Sequence, residues 1–215
     1  TRAIKGVIDV KSVPQGVAVF AENTFAALKG RDALKIEWDD SKAETRDSAA
    51  LKDLFTSTAQ TAGVSVKESD NIEAELESAD LVLEADYFFP FLAHAPMEPL
   101  DSVIEKNGDQ YEIWMGSQFA GGDQPTLATV LGTDPKNVKL NTMLAGGSFG
   151  RRATPGMDMA VETATVFKAT DMSRPVKIIW TRGDDIKGGF YRPLTSHKVR
   201  ASMNKAGEIT AWDHI

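Results

Sequence analysis

The segment Ala145–Arg152 constrains the fold of this chain more than any other, because three of its eight residues are glycine. Glycine is disfavoured in the interior of both helices and strands. The segment lies between a strand pattern at Val138–Leu144 and a helix pattern at Met157–Ala169. It is therefore predicted to form a tight strand-to-helix connection, so the chain needs both sheet and helix around it.

The same segment carries the strongest local signal for binding. A glycine-rich turn after a strand lets backbone N–H groups approach an anion closely, and Arg151 and Arg152 add positive charge and paired donors. The spacing of the glycines matches neither a Walker loop nor a dinucleotide-binding fingerprint. From the residues alone, an anion-binding turn and a plain connection with two surface arginines both stay open.

Short strand and helix patterns alternate along the rest of the chain. The predicted strands are Gly6–Val10, Val17–Ala21, Leu34–Trp38, Leu81–Tyr87, Asp101–Glu105, Tyr111–Gly116, Val176–Trp180, Lys198–Met203 and Glu208–Asp213. Further helices are predicted after a cap at Asn23 or Thr24, at Ala49–Ala62, and at Pro125–Val130 with Asp123 as cap and Gly132 as end. The Asn107-Gly108 pair predicts a hairpin. Together these patterns predict an α+β fold with mixed sheets and packed helices.

Composition excludes several classes of function. With 24 basic and 31 acidic residues the chain carries a formal charge of −7, which argues against nucleic acid as the partner. It has no cysteine, so it has neither disulfides nor thiolate ligands for zinc or an iron–sulfur cluster. No apolar run approaches the roughly 20 residues of a membrane-spanning helix.

Both ends of the chain are expected to be cut from a longer polypeptide. Thr1 opens directly into strand-like sequence, and the alternating pattern at Ile215 has no turn residue to close it. Trimmed termini of a complete domain are the alternative. Between these ends, residues 41–80 are polar and charged, which predicts a connecting segment on the surface.

His94 and Glu98 lie in a proline-bounded string, His94–Pro99, between an aromatic run and a strand. They are candidate metal ligands or an acid–base pair, but two ligands of mixed type make a poor metal site. A buried hydrogen-bonded pair that fixes the loop is the simpler interpretation.

The remaining candidates carry no signal of their own. Gln118 follows a predicted strand and reads as a loop residue. Thr181–Asp185 and Tyr191–Pro193 form a charged loop, and such runs are usually solvated. His197 and His214 lie in the last two strand patterns, and no nucleophile-elbow spacing supports a catalytic triad.

The order of these strings is more specific than any of them. The chain presents HAPMEP, WMGSQ, a spaced Leu-Gly and Val before GGSFGRR, then PVKIIWTRGDD, YRP, and a hairpin with Gly207 and Trp212. In this order they resemble the large subunit of the molybdenum hydroxylases, in the branch of the isoquinoline 1-oxidoreductase beta subunit, which is related to xanthine and aldehyde oxidases. Here GGSFGRR replaces the commoner Gly-Gly-x-Phe-Gly-Gly-Lys.

The resemblance implies a division of the chain. Residues 1–40 would be the end of an α/β hammerhead-like domain and residues 41–80 the connection. Residues 81–215 would be the N-terminal part of a molybdenum cofactor-binding domain.

The resemblance also implies roles for particular residues. Gln118 matches a glutamine whose amide hydrogen-bonds an oxygen ligand of the metal. Gly147, Phe149 and Gly150 match the segment that approaches the metal and pterin. Arg151, where the commoner form has glycine, is expected either to contact an anionic part of the cofactor or to shape the loop. His94 and Glu98 are assigned to shaping the site, and no residue of this chain is a direct metal ligand.

Two further positions bear on the substrate. In purine-oxidising relatives a glutamate shortly after the glycine-rich motif and an arginine in a later loop grip the purine. Ala153 stands at the position of the glutamate, whereas Arg192 matches the arginine and is expected in the substrate pocket.

The implied activity is hydroxylation of an N-heterocycle, or oxidation of an aldehyde, with water as the oxygen source. The cofactor would be molybdopterin, as its cytosine dinucleotide, with [2Fe-2S] clusters in a partner iron–sulfur subunit. The catalytic base is expected in the missing C-terminal half, so this chain alone is expected to be inactive. A non-catalytic scaffold that binds an anion or a partner is the alternative. A bacterial periplasmic location is favoured over a cytoplasmic one.

Overall fold

The structure, a computed structural model, describes residues 1–61, 63–69 and 71–215. The chain divides into two compact units, each built from two segments. The first unit contains Thr1–Trp38 and Ala93–Tyr191, and the second contains Asp39–Leu92 and Arg192–Ile215. The predicted boundaries at residues 40 and 80 stay a prediction.

Helices and strands are present in similar amounts among the described residues, which confirms the predicted α+β class. The strands are β1 (Val7–Val13), β2 (Gly16–Ala21), β3 (Leu81–Phe89), β4 (Asp101–Asn107), β5 (Gln110–Met115), β6 (Val138–Thr142), β7 (Val176–Ile179), β8 (Thr195–Met203) and β9 (Ile209–His214). The α-helices are α1 (Thr24–Asp32), α2 (Ser48–Thr58), α3 (Ile72–Ser78), α4 (Ala120–Leu131), α5 (Asp158–Lys168) and α6 (Arg182–Lys187).

A β-hairpin with one helix on it opens the first unit. Strands β1 and β2 pair in antiparallel fashion, and Asn23 caps α1 by accepting a hydrogen bond from Ala26 N at 3.0 Å. A Cβ atom at Gly30 would lie only 2.7 Å from Val19, so the helix packs closer than any side chain would allow. The predicted strand Leu34–Trp38 is wrong, because the segment pairs with no strand among the described residues and leaves Trp38 69% exposed.

The core of the first unit is a four-stranded sheet in the order β6-β5-β4-β7. Strands β5 and β6 are parallel, and the other pairs are antiparallel. The predicted hairpin is confirmed, with Asn107 opposite Gln110 and Gly108 at a φ of 59°. Alternate residues of β4 and β5 form a buried apolar face, on which α4 and α5 pack. Because β5 and β6 are parallel, their connection must cross over the sheet, and α4 makes that crossover.

Two helices of this unit differ from their prediction. Helix α4 begins before the predicted Pro125–Val130, and Asp123 is not its cap but a buried residue that accepts a hydrogen bond from the Ser117 hydroxyl. Gly132 ends the helix in the left-handed conformation, as predicted. Helix α6 replaces part of a predicted loop. Thr181 and Asp184 form a capping box at its start, which the interpretation of this charged run as a solvated loop had missed.

The second unit is an antiparallel sheet in the order β3-β8-β9, with α2 and α3 beside it. The predicted helix Ala49–Ala62 is present as α2, and Ala62 itself lies outside the described residues. Helix α3 was not predicted. Arg200 of β8 holds it through Glu73, with 3.1 Å between Nη1 and Oε2. None of the helices in the described ranges is long and apolar enough to cross a membrane.

Candidate functional site

The sheet topology of the first unit brings four of the sequence strings to one edge. Strands β5, β6 and β7 end at this edge and β4 begins there, because Ser102 pairs with Met115, Met115 with Thr142, and Asp101 with Ile179. The loops at this edge are 94–99, 116–118, 143–152 and 180–185. Residues up to 91 positions apart in the sequence thus surround the glycine-rich turn.

Gln118 is bound to the glycine-rich turn by its side-chain oxygen. Oε1 accepts hydrogen bonds from Gly150 N at 3.1 Å and from Arg152 N at 3.3 Å, while Gln118 N donates to Arg152 O at 3.1 Å. Two backbone donors on one atom fix the orientation of the amide. The amide nitrogen Nε2 remains available as a donor, and it has no hydrogen-bond partner within the described part of the chain.

Glu98 and Arg152 connect the first loop to the turn. Glu98 Oε2 accepts from Gly146 N at 3.0 Å, and Oε1 accepts from Arg152 Nη2 at 2.9 Å. The Arg152 side chain is only 1% exposed. A desolvated guanidinium needs such partners, so Arg152 belongs to the interior, whereas the Glu98 side chain is still 38% exposed.

Arg151 points away from its neighbour and toward α5. Its Nη1 and Nη2 donate to the two carboxylate oxygens of Asp158, at 3.0 and 2.8 Å, and its guanidinium lies 5.1 Å from the ring centroid of Trp180. A Cβ atom at Gly189 would clash with the guanidinium. These contacts favour the loop-shaping alternative for Arg151 over contact with a cofactor.

Arg182 fixes the loop of His94–Pro99 from the other side. Its Nη2 donates to the carbonyl oxygens of Pro96 and, at 3.1 Å, of Met97, while Nη1 donates to the buried Asp185. The charged string at the start of α6 therefore holds a neighbouring loop, although the Arg182 side chain remains 44% exposed.

The turn itself has an unusual backbone conformation and exposes both apolar and polar groups. Gly147, Phe149 and Gly150 have φ values of 101°, 58° and 103°, and Phe149 is 73% exposed. Among the described residues, the backbone N–H groups of Gly147, Ser148 and Phe149 donate to no protein acceptor. Consecutive free donors in such a conformation form a concavity that suits an anion or another acceptor.

Burial raises the pKa of three carboxyl groups around this edge, Asp101, Asp123 and Glu162. It raises the pKa of Asp101, and the negative charge of Glu98 adds to the effect while Arg152 opposes it. Burial likewise raises the pKa of Asp123, although the hydrogen bond from Ser117 lowers it in part. It also raises the pKa of Glu162, whose oxygens accept from Trp180 Nε1 at 3.1 Å.

We expect the wild type to lose stability as the pH rises and Asp101 ionises, and we expect Asp101→Asn to abolish this loss. The folded state favours the protonated Asp101, because its pKa lies above the unfolded value of 3.8. The contribution of Asp101 to the free energy of unfolding of the wild type is therefore fully present below pH 3.8, and it is lost as the pH rises through the pKa of the folded state. The variant should gain stability relative to the wild type across that range, as measured by urea unfolding at several pH values.

Asp109→Asn, in the exposed β4–β5 turn, is the matched control for this measurement. A stability difference for Asp101→Asn that did not increase with pH would show that Asp101 is not stabilised in its protonated form.

Most of the predicted site residues meet at this edge. Gln118, Gly147, Phe149, Gly150, Arg151 and Glu98 lie there, and His94 is close by, since a Cβ atom at Gly150 would be 3.4 Å from its Nε2. Arg192 belongs to the second unit, where it pairs through its backbone with Leu92, and its place in a substrate pocket stays a prediction. No group of three or more potential metal-ligating side chains occurs in residues 1–61, 63–69 and 71–215.

Sequence reasoning missed the residues that hold the loops together. Arg152, Asp158 and Arg182 were given no role of this kind, because isolated charged residues usually face solvent. The Thr-x-x-Asp spacing at Thr181 was the one available signal, since it marks a capping box and hence a helix start.

Comparison with known proteins identifies the family. Residues 56–215 match the molybdopterin cofactor-binding domain. The chain belongs to this family. The expected resemblance to the molybdenum hydroxylases is thereby confirmed.

Two curated relatives are equally similar in sequence. The isoquinoline 1-oxidoreductase subunit beta of Brevundimonas diminuta is 31% identical over 225 aligned residues, covering 99% of this chain and 28% of the relative. The membrane-bound aldehyde dehydrogenase [pyrroloquinoline-quinone] of Gluconacetobacter polyoxogenes is 31% identical over 224, with the same coverage. This domain thus spans little more than a quarter of either relative.

Solved structures support the fold. The quinoline 2-oxidoreductase from Pseudomonas putida 86 superposes with a TM-score of 0.74 at 17% identity, over 99% of this chain and 32% of that one. The CO dehydrogenase from Oligotropha carboxidovorans gives a TM-score of 0.66 at 15% identity, over 99% and 32%.

The residues at the sheet edge fit a molybdopterin cofactor. Such a cofactor offers many acceptor atoms, and the turn presents unpartnered donors: the amides of Gly147–Phe149 and the Nε2 amine of Gln118. Gly147 has a φ of 101°, a conformation that residues with a Cβ atom rarely adopt, so the turn needs its glycine. Close backbone approach and free donors are what an extended, polar cofactor requires.

Proposed function

We propose that this domain forms part of the catalytic subunit of a molybdenum-dependent oxidoreductase that hydroxylates an N-heterocycle or oxidises an aldehyde. The observation that carries the proposal is the orientation of Gln118. Its oxygen is fixed by the turn, so its amine is the group that faces outward as a donor beside Phe149 and Gly150.

The residues of this domain would position the cofactor and set its surroundings. Gln118 Nε2 and the amides of Gly147–Phe149 would donate hydrogen bonds to it, and the exposed Phe149 ring would exclude water from it. Arg151 would shape the loop through Asp158. When bound, the molybdenum cofactor supplies the redox chemistry of hydroxylation with water.

The rest of the machinery would lie outside these residues. We propose that the cofactor is the cytosine dinucleotide form, and that an iron–sulfur subunit with [2Fe-2S] clusters accepts the electrons. This stretch has no cysteine and so cannot itself ligate such a cluster with thiolates. The catalytic base would come from the remainder of the same large subunit.

Cofactor analysis of the full-length protein tests the proposal. The purified protein would be assayed for molybdenum, pterin, released CMP and pyrroloquinoline quinone, since the name of one relative contains that quinone. We expect about one molybdenum and one pterin for each large subunit. If both are absent from a folded preparation, an active protein that contains pyrroloquinoline quinone would be a quinone enzyme, and an inactive one would favour the non-catalytic scaffold.

We expect the substrate to be an apolar N-heterocycle or an aldehyde and not a purine. Ala153 stands where purine-oxidising relatives have a carboxylate, and an unpaired polar group on a desolvated substrate costs about 1–3 kcal/mol. Arg192 does not by itself identify the substrate. Steady-state kinetics of the complete complex with xanthine, isoquinoline and a simple aromatic aldehyde should give the lowest kcat/KM for xanthine, and a highest value for xanthine would refute the expectation.

A further inference from the structure

We infer that Arg152 is a positioning residue that, together with Glu98, holds the turn Gly146–Gly150 in the conformation that receives the cofactor. That the turn receives a cofactor rests on the proposed function. That Arg152 and Glu98 fix the conformation of the turn concerns this domain alone. We call the Arg152–Glu98 pair the clasp.

One guanidinium joins two loops that are far apart in sequence. Arg152 Nε donates to Gly147 O at 3.3 Å, inside the turn, and Nη2 donates to Glu98 O at 3.2 Å and Oε1 at 2.9 Å, 54 residues away. The side chain is 1% exposed, and a Cβ atom at Gly116 would lie 2.8 Å from Nη1. The guanidinium is thus enclosed by backbone on several sides and has little freedom to move.

Glu98 forms the other half of the clasp. Its second oxygen accepts from Gly146 N at 3.0 Å, and its own N–H donates to Gly146 O at 3.2 Å. The approach is so close that a Cβ atom at Gly146 would lie 2.7 Å from Glu98 Cβ. Both ends of Gly146 are therefore fixed by one residue, immediately before the turn.

The turn needs external support because its own bonds are few. Phe149 adopts the left-handed conformation, which is disfavoured for a non-glycine residue, and the flanking glycines are the most flexible residues available. Free amides at Gly147–Phe149 give no internal stabilisation. Without the clasp the turn would populate other conformations. The apparent affinity for the cofactor falls in proportion to the fraction of molecules whose turn is in the binding conformation.

The two adjacent arginines have separate roles on this view. Arg151 fixes the start of α5 through Asp158, whereas Arg152 contacts the turn itself. Loss of Arg151 should therefore affect the stability of the helix, and loss of Arg152 the conformation of the turn.

Hydrogen exchange of the cofactor-free full-length protein tests the clasp directly. The amides of Gly146 and Gly150 report on the turn, because both are hydrogen-bonded across it. We expect Arg152→Met, which keeps the apolar stem and removes the charged donors, to raise exchange in peptides covering 146–150 by about tenfold or more. Arg152→Lys, which retains the charge but not the fork, should have an intermediate effect.

The molybdenum content of the same variants gives the second readout, and it should fall in the order wild type, Arg152→Lys, Arg152→Met. Arg46→Met, in an exposed ion pair, is the control and should change neither quantity. If Arg152→Met does not fold, Arg152→Lys and Glu98→Gln provide the same test. Unchanged exchange at 146–150 in folded variants would overturn the clasp. Wild-type protein without molybdenum would refute the proposed function and leave the exchange result to decide on the clasp.

Discussion

Replacement of Gln118 by alanine in the full-length enzyme is expected to lower kcat by roughly 10²–10³-fold, the effect of losing one preorganised donor. The free energy of unfolding should change much less, because the Gly150 amide lies in an exposed part of the turn, where water can replace the lost acceptor, and only the weaker bond from Arg152 N is partly buried. Steady-state kinetics at matched molybdenum content would measure the first effect, and urea unfolding the second.

Gln118→Glu separates the two contributions of this side chain. A carboxylate still accepts from Gly150 N and Arg152 N but has no hydrogen to donate. It should therefore preserve the turn and still lose turnover. Gln110→Ala, in the hairpin at the far end of β5, is the matched control. Full turnover in both Gln118 variants with normal cofactor content would remove Gln118 from the site.

Arg151→Ala is expected to reduce the stability of α5 by about 3 kcal/mol. Its guanidinium is buried and makes a two-pronged ion pair with Asp158, and removal of one partner leaves the other charge partly desolvated and unpaired. Hydrogen exchange of the amides of Asp158–Lys168 in the full-length protein measures this free energy locally, so the other domains do not obscure it.

Arg46→Ala provides the comparison for this measurement. Arg46 also pairs with a carboxylate, Glu44, but both side chains are about half exposed. Such pairs contribute roughly 1 kcal/mol or less, so exchange in the neighbouring α2 should scarcely change. Equal protection of α5 in Arg151→Ala and in the wild type would show that the buried pair does not stabilise the helix.

Local pattern predicted most of the strands and helices of this domain but not their arrangement. Periodicity located β4, β5 and α5, and the Asn107-Gly108 pair located a hairpin, because these signals depend on near neighbours. Periodicity wrongly predicted a strand at Leu34–Trp38, where the alternating segment has no strand to pair with. It also missed α3 and α6, because their charged sequences are typical of solvated loops. The pairing of Asp101 with Ile179 depends on residues far apart in the chain, which no local signal specifies.

The candidate site was predictable only through the order of its strings. Gln118 and Phe149 have unremarkable surroundings in the sequence, and their assignment came from a resemblance to a family. The contacts of Arg152 and Arg182 could not be predicted, since a charged residue connects two loops only after the sheet has placed a carbonyl or carboxylate opposite it. With another sheet order the same residues would lack these partners.

The sheet order β6-β5-β4-β7 also bears on when the site can form during synthesis. The hydrogen bonds that join its loops connect residues 32, 54 and 86 positions apart, so none of them can form in a short stretch of nascent chain. Contacts of such high sequence separation form slowly, because the entropy of loop closure must be overcome before they stabilise the fold. The loops that would receive the cofactor therefore come together only after the strands that carry them have paired.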